Sequence, residues 1–216
     1  FLNAAKECNL TINKEKSKFG MSEIKMLGNR ISFGKITPDS EHMAPLIEMP
    51  PPRDAKSLQR CIGMFSYYSK WISNFSSKVR PLIKASGFPL KPEIIAAFEQ
   101  LKQDLLKSSL GCIYDNEPFV IECDASNHTI AAVLNQRDRP VAFFSRTLSK
   151  CEINYPAIEK EALSIIESVR KWSYLLTYQK FCLVTDQQAL SFIFKKEHNS
   201  KIKNNKLALW RLELSS

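Results

Sequence analysis

The 216-residue chain reads as α/β: a small β-hairpin and a helical stretch, then a mixed sheet with flanking helices. Three observations predict this. Strand-like runs ending at Asp124, Gln136 and Arg146 follow one another across short polar turns. A long helical period then opens near Pro156. A fourth apolar run, Phe181-Cys182-Leu183-Val184-Thr185, comes only after that helix and so rejoins the sheet by a crossover.

In chain order, Leu10-Thr11-Ile12 reads as a short strand, and Ile24–Leu27 and Arg30–Phe33 as two more around Gly28-Asn29. Gly34 and Pro38 punctuate the chain, and from Asp39 to Ser86 the apolar period becomes helical. Pro50-Pro51-Pro52 interrupts it, because consecutive prolines cannot continue a helix. Cys61, Phe65, Tyr68, Ile72 and Phe75 then recur at offsets of 4, 3, 4 and 3, the face of one helix or of two with a break near Asn74. Pro92 to Leu110 is a further helix, with Ile94, Phe98, Leu101 and Leu105 on one stripe.

In the second half, Pro118–Asp124 is a strand, and Ile130–Gln136 and Pro140–Arg146 are joined by the turn Arg137-Asp138-Arg139. The helix from Pro156 carries Ile158, Ala162, Ile165, Val169 and Trp172, and proline suits its first turn. Asp186 ends the fourth strand and opens a helix through Ala189, Leu190 and Ile193; an amphipathic segment, Leu207–Leu214, follows.

Composition narrows the function. At 44% hydrophobic and 25% charged, with 6 Gly, the chain is neither collagen-like nor wholly disordered. It can bury about 70% of its unfolded surface without covalent staples. No apolar run is long enough for a transmembrane helix, and no membrane partner is expected. The start, Phe1-Leu2-Asn3, lacks Met and a signal-peptide core, as expected of a piece of something longer. Cysteines 8, 61, 112, 123, 151 and 182 form no C-x-x-C pair and read as reduced intracellular thiols, and a structural zinc site is not expected. Net charge is +9 and uneven: residues 1–110 carry 17 Lys/Arg against 10 Asp/Glu. Between 55 and 91 stand Lys56, Arg60, Lys70, Lys78, Arg80, Lys84 and Lys91, with no acid. Lys195, Lys196, Lys201, Lys203 and Lys206 form a second cluster. Such patches suit a nucleic-acid backbone; the plain alternative is a solubilising surface.

Three acids are placed for chemistry. Asp124 and Asp186 lie at strand ends, where open α/β sheets build sites, and Glu161 borders the buried stripe of the crossover helix. If these elements are neighbours, three carboxylates converge and need a divalent cation; an all-oxygen donor set selects Mg²⁺ or Mn²⁺. Singly, each has a plainer reading: Asp186 as a helix N-cap, Asp124 as an Asx turn, Glu161 as a solvated helix residue.

Phe119–Gln136 (FVIECDASNHTIAAVLNQ), Pro140–Ser149 (PVAFFSRTLS), Asn154–Leu163 (NYPAIEKEAL) and Leu183–Leu190 (LVTDQQAL) resemble, in order, the motifs of the ribonuclease H domain in gypsy-like LTR retrotransposon Pol proteins. Upstream, Met26-Leu27-Gly28-Asn29 is similar to the primer-grip hairpin at the end of the reverse-transcriptase palm, and Met43–Leu82, with YYSKWISNFS, to the thumb. The resemblance divides the chain into a palm end (1–36), thumb (37–88), connection helix (89–110) and a ribonuclease H-like domain (111–216) lacking its last strand. Small glycines of the family pattern are replaced near Thr129 and Ala131, and Gln187 stands where His often follows the third acid.

The resemblance implies Mg²⁺- or Mn²⁺-dependent hydrolysis of the RNA strand of RNA–DNA hybrids, with two ions in the complete domain. Asp124, Glu161 and Asp186 would be the catalytic metal ligands, Asp124 bridging both ions; of the two nearby glutamates, Glu161 fits and Glu159 does not. Leu27, Gly28, Lys56, Arg60, Lys70, Lys78 and Arg80 would touch nucleic acid. The implied partners are an RNA–DNA hybrid or template–primer duplex and the rest of the Pol polyprotein; the implied location is cytoplasmic, in virus-like particles. No Asp-Asp pair occurs, so polymerase activity is not expected of this chain, although the parent would be an RNA-directed DNA polymerase. The alternative from another class is a catalytically inactive nucleic-acid-binding or tethering module.

Overall fold

The computed structural model describes residues 2–13, 15–177, 179–194 and 204–215. Helix α1 (Leu2–Glu7) precedes strands β1 (Glu23–Met26), β2 (Asn29–Ser32) and β3 (Lys35–Pro38). Helices α2 (Ser40–Ile47), α3 (Ala55–Tyr67), α4 (Phe75–Ile83) and α5 (Pro92–Leu106) follow, then strand β4 (Leu110–Gly111). Strands β5 (Phe119–Ala125), β6 (Thr129–Gln136) and β7 (Arg139–Thr147) lead to helix α6 (Ala157–Leu176), strand β8 (Phe181–Val184), and helices α7 (Gln188–Ile193) and α8 (Asn205–Ser215).

Two four-stranded sheets result. The first is antiparallel throughout, in the order β1-β2-β3-β4. It exceeds the expected hairpin, because β3 extends it and the two-residue β4 closes it after α5. Leu10–Ile12 is not a strand: no ladder reaches it, and Leu10 is exposed. The hairpin turn is Leu27-Gly28, both at positive φ (50° and 73°), the backbone of a two-residue turn that matches strand twist.

The helical unit follows the apolar periodicity. Asp54 caps α3 reciprocally with Ser57: the Ser57 N–H donates to Asp54 Oδ1 at 2.7 Å and the Asp54 N–H to Ser57 Oγ at 3.1 Å. The break is wider than the expected one near Asn74: α3 ends at Tyr67, a 3-10 turn (Ser69–Trp71) follows, and α4 opens only after Asn74, whose φ of 53° and ψ of 34° are left-handed. Asparagine tolerates that conformation better than most residues. Leu46, Cys61, Phe65, Trp71, Leu82, Phe98 and Leu101 form a dry core there, with Phe65 and Phe98 edge to face at 5.9 Å.

The second sheet, β7-β6-β5-β8, is mixed as expected: β5, β6 and β7 are antiparallel and β8 runs parallel to β5. Helix α6 supplies the crossover, and Ala162, Ile165 and Trp172 pack with Phe119, Ile121 and Leu134. Buried Gln136 holds the 114–117 loop, donating from Nε2 to the carbonyls of Tyr114 (3.1 Å) and Glu117 (2.9 Å) while accepting the Tyr114 N–H at 2.9 Å. In α8, Leu207 is buried but Leu209 and Leu212 are exposed, so its leucines do not share one buried face. The two units touch: β7 packs on α4, Phe143 reaches the helical core, and the Ser76 N–H donates to Ser145 Oγ at 2.9 Å.

All six cysteines are free; burial pushes the Cys61 and Cys123 thiols up to about 11, which suits inert core groups. No described helix is long and apolar enough to cross a membrane.

Candidate active site

The parallel register of β5 and β8 does the first part of the assembly. Glu122 pairs with Val184, the last residue of β8; Asp124 lies two residues further along β5 and Asp186 two residues further on, in the bend that follows β8. Both line one cleft, with Glu122, Val133 and Val184. Glu161 arrives from α6: its Oε1 accepts the Ala125 N–H at 3.3 Å, which fixes the carboxyl at the end of β5. One turn later Ser164, fully buried, sets its Oγ 2.8 Å from the Ala131 carbonyl and 3.1 Å from that of Asp124. These two residues face each other across β5 and β6, so one hydroxyl docks α6 on the strand pair beneath the acids.

The electrostatics follow from this geometry. Among the described residues no hydrogen bond or ion pair engages the Asp124 or Asp186 carboxylate, and no lysine or arginine pairs with Glu161. Burial chiefly pushes the Glu161 carboxyl up to about 6; the Ala125 N–H pulls it down, and the negative charges of Asp124 and Asp186 add to the rise. An uncompensated, all-oxygen set fits a hard divalent ion such as Mg²⁺ or Mn²⁺ in donor chemistry. Among the described residues, however, no group of three His, Cys, Asp or Glu side chains is gathered closely enough to hold one.

The plainer readings of these acids find no hydrogen bonds to support them. The turn after β5 is organised by Ser126, whose Oγ accepts the Thr129 N–H at 3.0 Å and lies 2.8 Å from Thr129 Oγ1. At the start of α7, Thr185 Oγ1 accepts the Gln187 N–H at 3.3 Å. Glu159 is engaged elsewhere: Lys206 Nζ lies 2.7 Å and Asn204 Nδ2 2.8 Å from its carboxylate, tying α6 to α8.

Periodicity did not reveal one set of basic residues: burial first, and then the positive charges of Arg80 in α4, Lys84 at its C-terminal cap and Lys160 of α6, lower the pKa of His128. Lys160 is buried, and no carboxylate pairs with it among the described residues. Of the charges singled out from sequence, Arg80 is here. Lys56, Arg60 and Lys70 are exposed on the helical unit, with Lys70 5.5 Å from the Trp71 ring. Lys78 is not free: its Nζ is 2.7 Å from Asp104 of α5. Leu27 is 88% exposed at the hairpin tip beside Gly28. Lys195, Lys196, Lys201 and Lys203 lie outside the described residues. The only sequence signal for His128 and Lys160 was their place beside the Asp124 and Glu161 motifs.

Residues 114–216 match the RNase H-like domain found in reverse transcriptase. The fold agrees: over 90% of the chain it superposes with TM-score 0.69 and 21% identity on a foamy viral protease–reverse transcriptase in complex with dsDNA, covering 36% of that chain. It likewise follows the foamy viral protease–reverse transcriptase in complex with RNA/DNA hybrid, at TM-score 0.68 and 21% identity over 94% of this chain and 29% of that one. The C-terminal half is thus an RNase H-like domain of the reverse-transcriptase kind.

Along nearly its whole length the chain is similar to retrotransposon-type Pol polyproteins. It is 35% identical over 94% of its length to the retrovirus-related Pol polyprotein from transposon opus, and 32% identical over 97% to that from transposon 297, both of Drosophila melanogaster. It is 32% identical over 99% of its length to the transposon Tf2-3 polyprotein of Schizosaccharomyces pombe. The chain spans about a fifth of these relatives, 22%, 20% and 17% respectively.

Proposed function

We propose that the RNase H-like domain hydrolyses the RNA strand of an RNA–DNA hybrid, with divalent cations held by Asp124, Glu161 and Asp186. The cleft that Asp124 and Asp186 share, with Glu161 bound to the Ala125 N–H at the end of β5, supports this reading. When bound there, Mg²⁺ or Mn²⁺ supplies Lewis-acid activation of water and neutralises the leaving 3′ oxygen. The protein's part is orientation and charge. Ser164 fixes the Asp124 segment, the Ala125 N–H fixes Glu161, and burial leaves the Glu161 carboxyl ready to exchange a proton for a cation near neutral pH. Arg80, Lys84 and Lys160 hold backbone phosphates without reading bases, and the 2′-hydroxyl is what separates RNA from DNA at the cleft. Residues 37–88 take the place of a thumb gripping the duplex, with Leu27 and Gly28 at the primer-grip tip. The foamy viral structure with RNA/DNA hybrid supports the choice of substrate.

A second reading, a nucleic-acid-binding module without catalysis, is favoured by one observation: the three acids stand apart. End-labelled hybrid incubated with the chain and Mg²⁺ separates the two. Cleavage that disappears in Asp124→Asn, with hybrid binding retained by fluorescence anisotropy, supports the nuclease. Binding without any cleavage supports the module, and cleavage unchanged in Asp124→Asn refutes the assignment of the acids.

A further inference from the structure

We infer that Asn74, a residue of the helical unit, is a substrate contact of the nuclease site: its carboxamide hydrogen-bonds the sugar–phosphate backbone of the RNA strand lying over Asp124 and Asp186. The inference rests on the hybrid-cleavage reading above.

Asn74 lines the same cleft as Asp124 and Asp186, and among the described residues it is the one lining residue from outside the RNase H-like domain. It occupies the N-cap of α4, where an asparagine ordinarily accepts the second or third backbone N–H of its own helix. Here it makes no such bond. Ser145 Oγ of β7 accepts the Ser76 N–H at 2.9 Å instead, so the sheet caps the helix and the asparagine is released from that task. The N–H groups of Ser77 and Lys78 reach the Asn74 backbone carbonyl at 3.0 and 3.2 Å, leaving the side chain out of the cap altogether.

The backbone at this position is nonetheless held by its neighbours. Ile72 and Phe75 on either side are buried in the helical core, and β7 packs on that core through Phe143. Only its backbone is anchored; the carboxamide itself is exposed and open to a ligand in the cleft. Its chemistry also suits the place. A carboxamide offers two donors for phosphate oxygens and an acceptor for a ribose hydroxyl. It adds no charge to a floor that already carries Glu122, Asp124 and Asp186. A carboxylate there would repel the strand, and an ammonium would compete with the cation for the acids.

The simpler explanation is that asparagine is present only because the backbone is left-handed. Glycine satisfies that requirement equally well and has no carboxamide, so Asn74→Gly in the full chain separates the two. We expect an unchanged thermal midpoint, a KM for hybrid raised roughly 5- to 10-fold with kcat little altered, and an equal loss of hybrid affinity by anisotropy in the cleavage-deficient Asp124→Asn background. Asn74→Asp keeps the size and the backbone tolerance. It should weaken hybrid binding further while tightening Mn²⁺ binding, measured calorimetrically without nucleic acid. Unchanged KM and hybrid affinity in both variants overturn the inference while leaving the nuclease reading intact. Cleavage that survives Asp124→Asn is a failure of that reading instead.

Discussion

Glu159 and Glu161 stand two residues apart on α6, and their removal should change stability in opposite directions. The Glu159 side chain is 12% exposed and takes hydrogen bonds from Lys206 and Asn204, while Lys206 Nζ also lies 3.4 Å from the Tyr155 ring centroid. The Lys206 bond is the main reason its carboxyl sits below the usual range, burial opposing it. Hydrogen bonds to charged groups contribute about 1.5–3 kcal/mol. Lys206 is 37% exposed and partly screened, so we take about 1–2 kcal/mol for Glu159→Gln. At about 2–4 °C per kcal/mol for a chain of this size, the midpoint falls by about 2–8 °C. Because the folded pKa is depressed, this stability is present above the unfolded value of 4.5 and is lost as pH falls through the folded pKa. Glu161 has the other sign. Its folded pKa is raised from 4.5 to about 6, so its favourable contribution is full below 4.5 and is lost as pH rises through about 6. In metal-free buffer at pH 7 ionised Glu161 is a net cost. Glu161→Gln should therefore match or exceed the parent midpoint there, and its advantage should shrink below pH 4.5. Calorimetric melting in EDTA from pH 4 to 8, with a Glu159→Gln/Lys206→Met cycle, measures all of this. The reasoning fails if Glu161→Gln melts lower than the parent at pH 7, or if the cycle shows no Glu159–Lys206 coupling.

Other outcomes follow from the same geometry. Mn²⁺ affinity should drop about tenfold between pH 7 and pH 5, because a proton on a carboxyl titrating near 6 competes with the ion, and Glu161→Gln should flatten that profile in isothermal titration. Duplex binding should show a log–log salt slope near −3 if roughly three or four cations meet phosphates. Replacing Arg80, Lys84 and Lys160 by Gln should flatten that slope, and an unchanged slope would place the nucleic acid elsewhere. Lys78→Gln should instead lower the melting midpoint with little effect on the slope, since Lys78 is paired with Asp104. Ser164→Ala should cost about 1 kcal/mol in denaturant unfolding and slow hybrid cleavage, because it loosens α6 from the Asp124 strand.

Much of the molecule is decided locally. The apolar offsets from Cys61 to Phe75 mark residues that are all buried, although the α-helix itself is interrupted between Tyr67 and Phe75. Alternation in 119–146, a long helix and one more strand specify the mixed sheet, and the motifs around Asp124, Glu161 and Asp186 are visible in the chain alone. Tertiary structure decided the rest, because those features join residues far apart in sequence. Strand β4 exists only because α5 returns the chain to β3. Lys78 is neutralised by Asp104, while Lys160, with Arg80 and Lys84, acts on His128, a difference that charge counting cannot see. The distinction between Glu159 and Glu161, one tied to α8 and the other turned to β5, depends on which elements flank α6. Asn74 lines the cleft of Asp124 and Asp186 while a serine on β7 caps α4 across a separation of 69 residues, and no local pattern encodes a hydrogen bond of that length along the chain.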